Sequence, residues 1–206
     1  MKIVVIGAGG HARSVCDILL SLGEHEIIGL IDPSAQVGFF DIPVLGDDNL
    51  LVSIINENRA EGAFVALGSN KVRKKMMQKV VDLGYKVVSV ISPYSVVSRF
   101  ASIGNGTVVM PGAIINANST IGQGCIINTN SSIDHDDMVC DYCHIAPGAT
   151  ICGAVSIGES TFIGAGARII DKINIGSNVM LGAGAVAISD IPSCCTAVGI
   201  PARIIG

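Results

Sequence analysis

No uninterrupted apolar run in this chain approaches the roughly 20 residues that a membrane-spanning helix needs, although 50% of its 206 residues are hydrophobic and its mean hydropathy is +0.60. A span is thus excluded by patterning, and no membrane insertion is expected. The chain also lacks a charged leader followed by an apolar stretch and a small-residue cleavage site. It opens directly into a strand-like segment, Lys2 to Ile6, so a cytoplasmic location is expected. Seven cysteines occur without the spacing of a disulfide framework, in agreement with a reducing compartment. Basic character is missing as well. The formal charge is −4, and no aromatics interleave the Lys71, Arg73, Lys74, Lys75 cluster, which reads as a solvated helix face, so no nucleic acid is expected. Small anionic ligands need only local donors and stay open.

What is present is a period. From residue 91 to residue 181 every sixth position is Ile, Val or Leu: Ile91, Val97, Ile103, Val109, Ile115, Ile121, Ile127, Ile133, Val139, Ile145, Ile151, Ile157, Ile163, Ile169, Ile175 and Leu181, sixteen in a row. Neither helix nor strand repeats at six. A six-residue repeat marks a parallel β-helix, in which each hexad is one short flat face, three faces make a triangular coil, and stacked coils bury one continuous core. Four residues after each aliphatic position the side chain is mostly small, as at Thr107, Ala113, Ser119, Cys125, Ser131, Cys143 and Ala149, because a corner has little interior room. Three residues after it, ten of the fourteen positions from 106 to 184 are Gly, Asn or Asp, types that tolerate the positive φ of a tight corner.

The first ninety residues follow other rules. Strands are expected over 2–6, 26–31, 63–67 and 86–91, with helices over 11–22, 47–58 and 70–83. Strands alternating with helices mean a small Rossmann-like parallel α/β domain, 1–90, followed by the β-helix, 91–206. Gly7, Gly9 and Ala12 fit the G-x-G-x-x-G/A phosphate-binding fingerprint, and Asp32 falls twenty residues after Ala12, where a ribose-binding acid can sit. A dinucleotide needs two mononucleotide-binding halves and about one is present. One half can still hold one nucleotide, with the helix near His11 offering unpaired N–H groups to an anion. A tight strand-to-helix turn without ligand also accounts for these glycines. Gly68 ends the third strand on the same carboxyl edge as Gly9 and Asp32.

Several segments together resemble one family. They are Gly7-Ala-Gly-Gly-His11, Leu67-Gly-Ser-Asn70 followed by Val72-Arg-Lys-Lys75, Ile127-Asn-Thr129, Asp134-His-Asp136, Cys143-His-Ile-Ala-Pro-Gly148 and Val198-Gly-Ile-Pro-Ala-Arg203. In order and spacing the chain resembles the bacterial sugar acyltransferases of the hexapeptide-repeat superfamily, which include nucleotide-linked amino-sugar N-acetyltransferases and sialic acid O-acetyltransferases. The resemblance implies a left-handed coil, an exception to the right-handed crossover rule. It also implies a homotrimer with acetyl-CoA between neighbouring coils and the sugar nucleotide on the N-terminal domain.

His135 matches the family's catalytic base, and imidazole titrates near the working pH of such a transfer. Asp136 matches the acid that raises that histidine's basicity, and it also falls at a corner where positive φ alone explains an Asp. His144 matches a histidine that contacts acetyl-CoA, and backbone groups at Ala165 and Ala183 match further cofactor contacts. Asn128 is a candidate partner for substrate or intermediate. The edge formed by Gly9, Gly10, His11, Asp32 and Gly68 is expected to hold the sugar's nucleotide. Asp137 occupies a slot that normally takes a small inward residue, so either the coil bulges there or the carboxylate joins a hydrogen-bond network. Cys140, Cys143 and His144 resemble a zinc half-site. Cys143 nevertheless takes the inward slot above Cys125, and a three-histidine metal centre lacks ligands, since the repeat region holds only His135 and His144, so no metal is expected.

The family pattern is not met everywhere. Many relatives carry paired acids where this chain has Asp32-Pro33, and often Ile-His-Pro where it has Ile91-Ser-Pro93. The resulting expectation is acetyl-CoA-dependent N-acetylation of a UDP-linked amino sugar. The alternatives are O-acetylation of sialic acid or a related sugar, and a dinucleotide-binding module fused to a structural β-helix.

Overall fold

Residues 1–205 are described by a computed structural model, which divides after Val90 into two compact units. The first contains β1 (Lys2–Ile6), α1 (Gly10–Leu22), β2 (Glu26–Ile31), β3 (Val44–Gly46), α2 (Leu50–Asn56), β4 (Gly62–Val65), α3 (Asn70–Asp82) and β5 (Lys86–Val87). All five strands are parallel, in the order β3-β2-β1-β4-β5. β1 lies at the centre with Ile3, Val4, Val5 and Ile6 buried, a continuous apolar run of the kind that a sheet covered on both faces requires. Helix α1 buries Ala12, Val15, Cys16, Ile18 and Leu19, one stripe at three- and four-residue spacing. It ends at Gly23, whose φ of 66° lets its N–H reach the Leu19 carbonyl, a left-handed C-terminal cap. No helix among the described residues is long and apolar enough to cross a membrane.

Two details differ from the sequence-based expectation. The edge strand β3 was not expected, because three residues next to Pro43 carry no periodic signal. The expected strand over 86–91 is two strands: Lys86–Val87 pairs with β4, whereas Val90–Ile91 pairs with Val108–Val109 in a different sheet.

From Val90 onward two-residue strands recur every six residues and pair in parallel with the strand eighteen residues on, as Ile126 with His144 and Ile127 with Ile145. Three sheets result, one for each face of the coil. The aliphatic residues from Val109 to Leu181 are all buried and form one cluster along the axis. Each contributes roughly 1.5–3 kcal/mol on leaving water. The next inward file, at the corners, alternates small apolar residues with hydroxyls and thiols that are satisfied by backbone. Thr107 Oγ1 accepts from the Cys125 N–H and donates to the Gly122 carbonyl, and Thr161 Oγ1 does the same with Val179 and Gly176.

The corners have positive φ at every sixth residue from 106 to 184. This includes Tyr142 (58°), Ala154 (60°), Ser160 (58°) and Lys172 (62°), types for which that conformation costs roughly 1–2 kcal/mol. The stacked ladder therefore imposes the turn even where the side chain opposes it.

Candidate active site

His135 and Asp136 follow the strand Ser132–Ile133 and occupy one corner of the coil. The left-handed conformation of Asp136, φ 61°, turns its carboxylate back beside the preceding imidazole. His135 Nδ1 stands 2.7 Å from Asp136 Oδ2, while Asp136 Oδ1 accepts from Asn118 Nδ2 at 3.2 Å. The Asp136 hydrogen bond, aided by the negative charges of Asp134, Asp136 and Asp137, holds the His135 pKa above its ordinary value. The bonds from His135 and then Asn118 hold the Asp136 carboxyl below its own. With Nδ1–H donating to the carboxylate, Nε2 keeps its lone pair, the tautomer that a general base requires. Asp134 steadies the same corner, accepting from the His135 N–H and from Asn116 Nδ2, both at 2.9 Å.

A second corner follows the face that carries Ile126–Ile127 and His144–Ile145. Here Asn128 Nδ2 lies 3.0 Å from His144 Nε2, and Asn128 Oδ1 accepts the Thr129 N–H at 2.8 Å. The amide thus presents its NH2 to the ring, which makes His144 Nε2 the acceptor. Phe162 packs edge-on against His144, centroids 5.0 Å apart. Beyond them Ala165 and Ala183 are exposed, one above the other, with the Gly184 N–H donating to the Ala165 carbonyl at 2.8 Å. A Cβ added at Gly148, Gly166 or Gly184 would meet nothing within 4 Å. This corner is a shelf of nearly bare backbone with room for an extended thin chain. Within one protomer Asn128, His144, Ala165 and Ala183 come together, but His135 and Asp136 lie at the next corner, across another face.

In the α/β unit, Gly7, Asp32 and Leu67 line a cavity of about 320 Å³ at the carboxyl edge of the sheet, together with Pro33, Asp48, Val72 and Met76. Gly7 has φ 109°, and a Cβ there would fall 2.8 Å from the Ala66 carbonyl oxygen, so the fold itself demands this glycine. Gly9, Gly10 and Gly68 differ, since an added Cβ would meet nothing. Asp32 is more occupied than its expected ribose role suggests, with Oδ2 accepting from the Ala8 N–H and Oδ1 from the Ser34 N–H, each at 2.8 Å. It therefore shapes the loop first. Burial, with a smaller push from the Arg73 charge, lowers the His11 pKa to about 4, so the ring is neutral at pH 7. Arg73 corrects the reading of its cluster as solvated. It is 1% exposed and donates to the Leu67 and Gly68 carbonyls at 3.0 and 3.1 Å and to Asn70 Oδ1 at 2.8 Å, while Lys71, Lys74 and Lys75 face solvent.

Residues 2–80 match the family model described as PglD N-terminal domain, and residues 100–135 and 154–187 match that of bacterial transferase hexapeptide (six repeats). Among solved structures, a histidine variant of perosamine N-acetyltransferase from Caulobacter crescentus in complex with CoA and GDP-perosamine is 39% identical, with a TM-score of 0.95 over 100% of this chain and 97% of that one. The acetyltransferase domain of PglB from Neisseria gonorrhoeae, in complex with acetyl coenzyme A, is 38% identical, with a TM-score of 0.94 over 99% of this chain and 98% of that one. The chain belongs to the left-handed β-helix family of sugar acyltransferases. WeeI from Acinetobacter baumannii is 27% identical with a TM-score of 0.89, and the two chains cover each other fully, 100% each way. An uncharacterised protein of Acanthamoeba polyphaga mimivirus is 31% identical over 110 residues, 53% of this chain, and the chain spans only 21% of that curated relative's length.

The acyltransferase's core decides the question left open at Asp137. There is no bulge: Thr120 pairs with Met138 and Ile121 with Val139 in unbroken register. Asp137 points inward, 2% exposed, and its Oδ1 accepts the Val155 N–H at 2.8 Å, while Oδ2 is buried without a hydrogen bond among the described residues. Burial raises its pKa to about 7. Cys125 and Cys143 are buried in the same inward file, their thiols donating to the Cys140 and Gly158 carbonyls. The neighbouring Cys125 side chain and then burial push the Cys143 thiol far above its ordinary pKa. Asn116 and Asn118 were missed in the sequence. Their signal was the eighteen-residue offset that stacks them under Asp134 and Asp136.

Proposed function

We propose that this acyltransferase moves the acetyl group of acetyl-CoA to the amino group of a nucleotide-linked sugar, with His135 as general base. The observation that carries this is the 2.7 Å contact of His135 Nδ1 with Asp136, which leaves Nε2 as the proton acceptor. The amine nitrogen bonds to the thioester carbonyl carbon as Nε2 removes its proton, the C–S bond then breaks, and the proton passes to the departing thiolate. Asp136 stabilises the imidazolium formed in between. Perosamine N-acetyltransferase, solved with CoA and GDP-perosamine, was crystallised with one histidine replaced by Asn and by Ala, which supports a histidine in this role.

The bare shelf at Ala165 and Ala183 suits the pantetheine arm, with His144 and Asn128 at its end. Since this shelf and His135 sit on different corners of one protomer, a complete site needs a second copy of the chain, and a homotrimer supplies three such sites. The nucleotide belongs at the Gly9, Gly10, His11, Asp32 and Gly68 edge, where neutral His11 and unfilled space beside the glycines accept it. The test is release of free CoA thiol from acetyl-CoA with a panel of UDP-, GDP- and dTDP-linked amino sugars, run beside His135→Ala with the oligomer sized by light scattering. Turnover with at least one acceptor, falling roughly 10²–10⁴-fold in the variant while the trimer persists, is expected. A variant as active as the parent removes His135 from the mechanism.

A further inference from the structure

The residue eighteen positions after His135, one coil further along the same corner, is Gly153. It is buried, and its φ lies outside the positive region. Among the sixteen positions that fall two residues after the aliphatic hexad residues, from 93 to 183, it is the only glycine. The backbone does not ask for it. The left-handed residue of this corner is the next one, Ala154 at φ 60°, so glycine sits where any residue fits and alanine where glycine fits better. Packing gives the reason. A Cβ built on Gly153 falls 2.7 Å from both Cε1 and Nε2 of His135 and 3.1 Å from Nδ1, which means that the imidazole lies with its face on the glycine.

We propose that Gly153 is a positioning residue: a seat kept bare so that the His135 ring can lie flat, with Nδ1 on Asp136 and Nε2 as the proton acceptor. Any side chain lifts the ring by about 1 Å to reach ordinary contact distance, which carries Nδ1 out of line with the Asp136 oxygen now 2.7 Å away and weakens that bond. Asn118 acts from the opposite side, holding the other oxygen of Asp136. The titratable groups around the ring are Asp134, Asp136 and Asp137, and the coil above adds the Cys152 thiol next to the seat. The proposal rests on His135 being the base, but its closing measurement does not depend on turnover.

The decisive variant is the swap Gly153→Ala with Ala154→Gly, which returns glycine to the left-handed position while filling the seat. The chain has only four histidines, so His135 can be titrated by NMR after selective labelling. The expected result is a melting temperature equal to or above that of the parent, a His135 pKa that falls back toward about 6.5, and a kcat reduced roughly a hundredfold with the acetyl-CoA KM little changed. In the unaltered protein a cross-peak between His135 Hε1 and the Gly153 Hα protons is expected, and this reads the contact even should the swap fail to fold. A lowered pKa in a protein that acetylates no acceptor supports the seat while rejecting the activity. A missing cross-peak, or a folded swap with unchanged His135 titration, overturns the proposal.

Discussion

Replacing Asp137 by threonine is expected to stabilise the protein, and more so at alkaline pH. Thr107 and Thr161 occupy equivalent inward slots, fully buried, each accepting a backbone N–H from the next coil and donating to a carbonyl fifteen residues on. Asp137 makes the first of these bonds, to Val155, and only its protonated form carries a hydrogen with which to make the second. The folded protein holds this carboxyl up at about 7, against an ordinary 3.8, chiefly through burial. In the interval the unfolded chain has already released its proton while the folded chain retains it. Stability therefore falls as pH rises from about 4 to about 7, at about 1.4 kcal/mol per pH unit, and is flat above. The accumulated cost is at most roughly 4 kcal/mol, and Asp137→Thr escapes it. Guanidinium unfolding at pH 4.5, 6 and 8, at one protomer concentration because an oligomer's stability depends on it, should show the gap between variant and parent widening across this range. A gap of constant size at all three values would refute the assignment of a neutral buried acid.

Other expectations follow from the same geometry. Asp136→Asn takes the negative charge off the acceptor whose hydrogen bond raises the His135 pKa, so the acid limb of the kcat/KM profile should move to lower pH while the plateau drops roughly tenfold; a rate profile over pH 5–9 checks both. At Gly148 (φ 66°) an added Cβ has open space, so Gly148→Ala should cost about 1 kcal/mol through φ alone, whereas Ala154→Gly should not destabilise. Arg73→Met leaves the Leu67 and Gly68 carbonyls without their donor and should cost about 3 kcal/mol. Arg73→Lys should rescue little, since it lacks the fork that reaches both carbonyls and Asn70. Thermal unfolding with and without UDP or GDP would show both the lost stability and a weakened nucleotide response.

The β-helix was legible because its period is a property of the chain: Ile, Val or Leu at every sixth residue is visible without knowing any contact. The corners were legible in part, since Gly, Asn and Asp mark positive φ, while Tyr142, Ala154, Ser160 and Lys172 adopt it with no local cue. The ladder overrides the residue there. In the α/β unit the division of residues 86–91 between two sheets was hidden because an apolar run looks the same whichever partner it finds. The cluster that holds Arg73 was read as a solvated face because no aromatics interleave it and the net charge is modest. Helical phase, not composition, turns Arg73 inward toward the open carbonyls at the end of β4.

The candidate site shows the same division between adjacent and stacked information. His135 and Asp136 are neighbours in the chain, and the pair was found from that alone. Asn118 and Gly153 lie one coil before and one coil after the pair's own level, so they become neighbours only when the sequence is wrapped at eighteen residues. The two explanations of Asp136, corner residue and partner of His135, turn out not to compete. A left-handed residue is what the corner needs, and that same φ of 61° swings its carboxylate back to the preceding imidazole. Asparagine or glycine would satisfy the turn as well, but neither would set a negatively charged acceptor beside Nδ1. Of the types that tolerate this corner, aspartate alone also makes a stronger base of the histidine beside it.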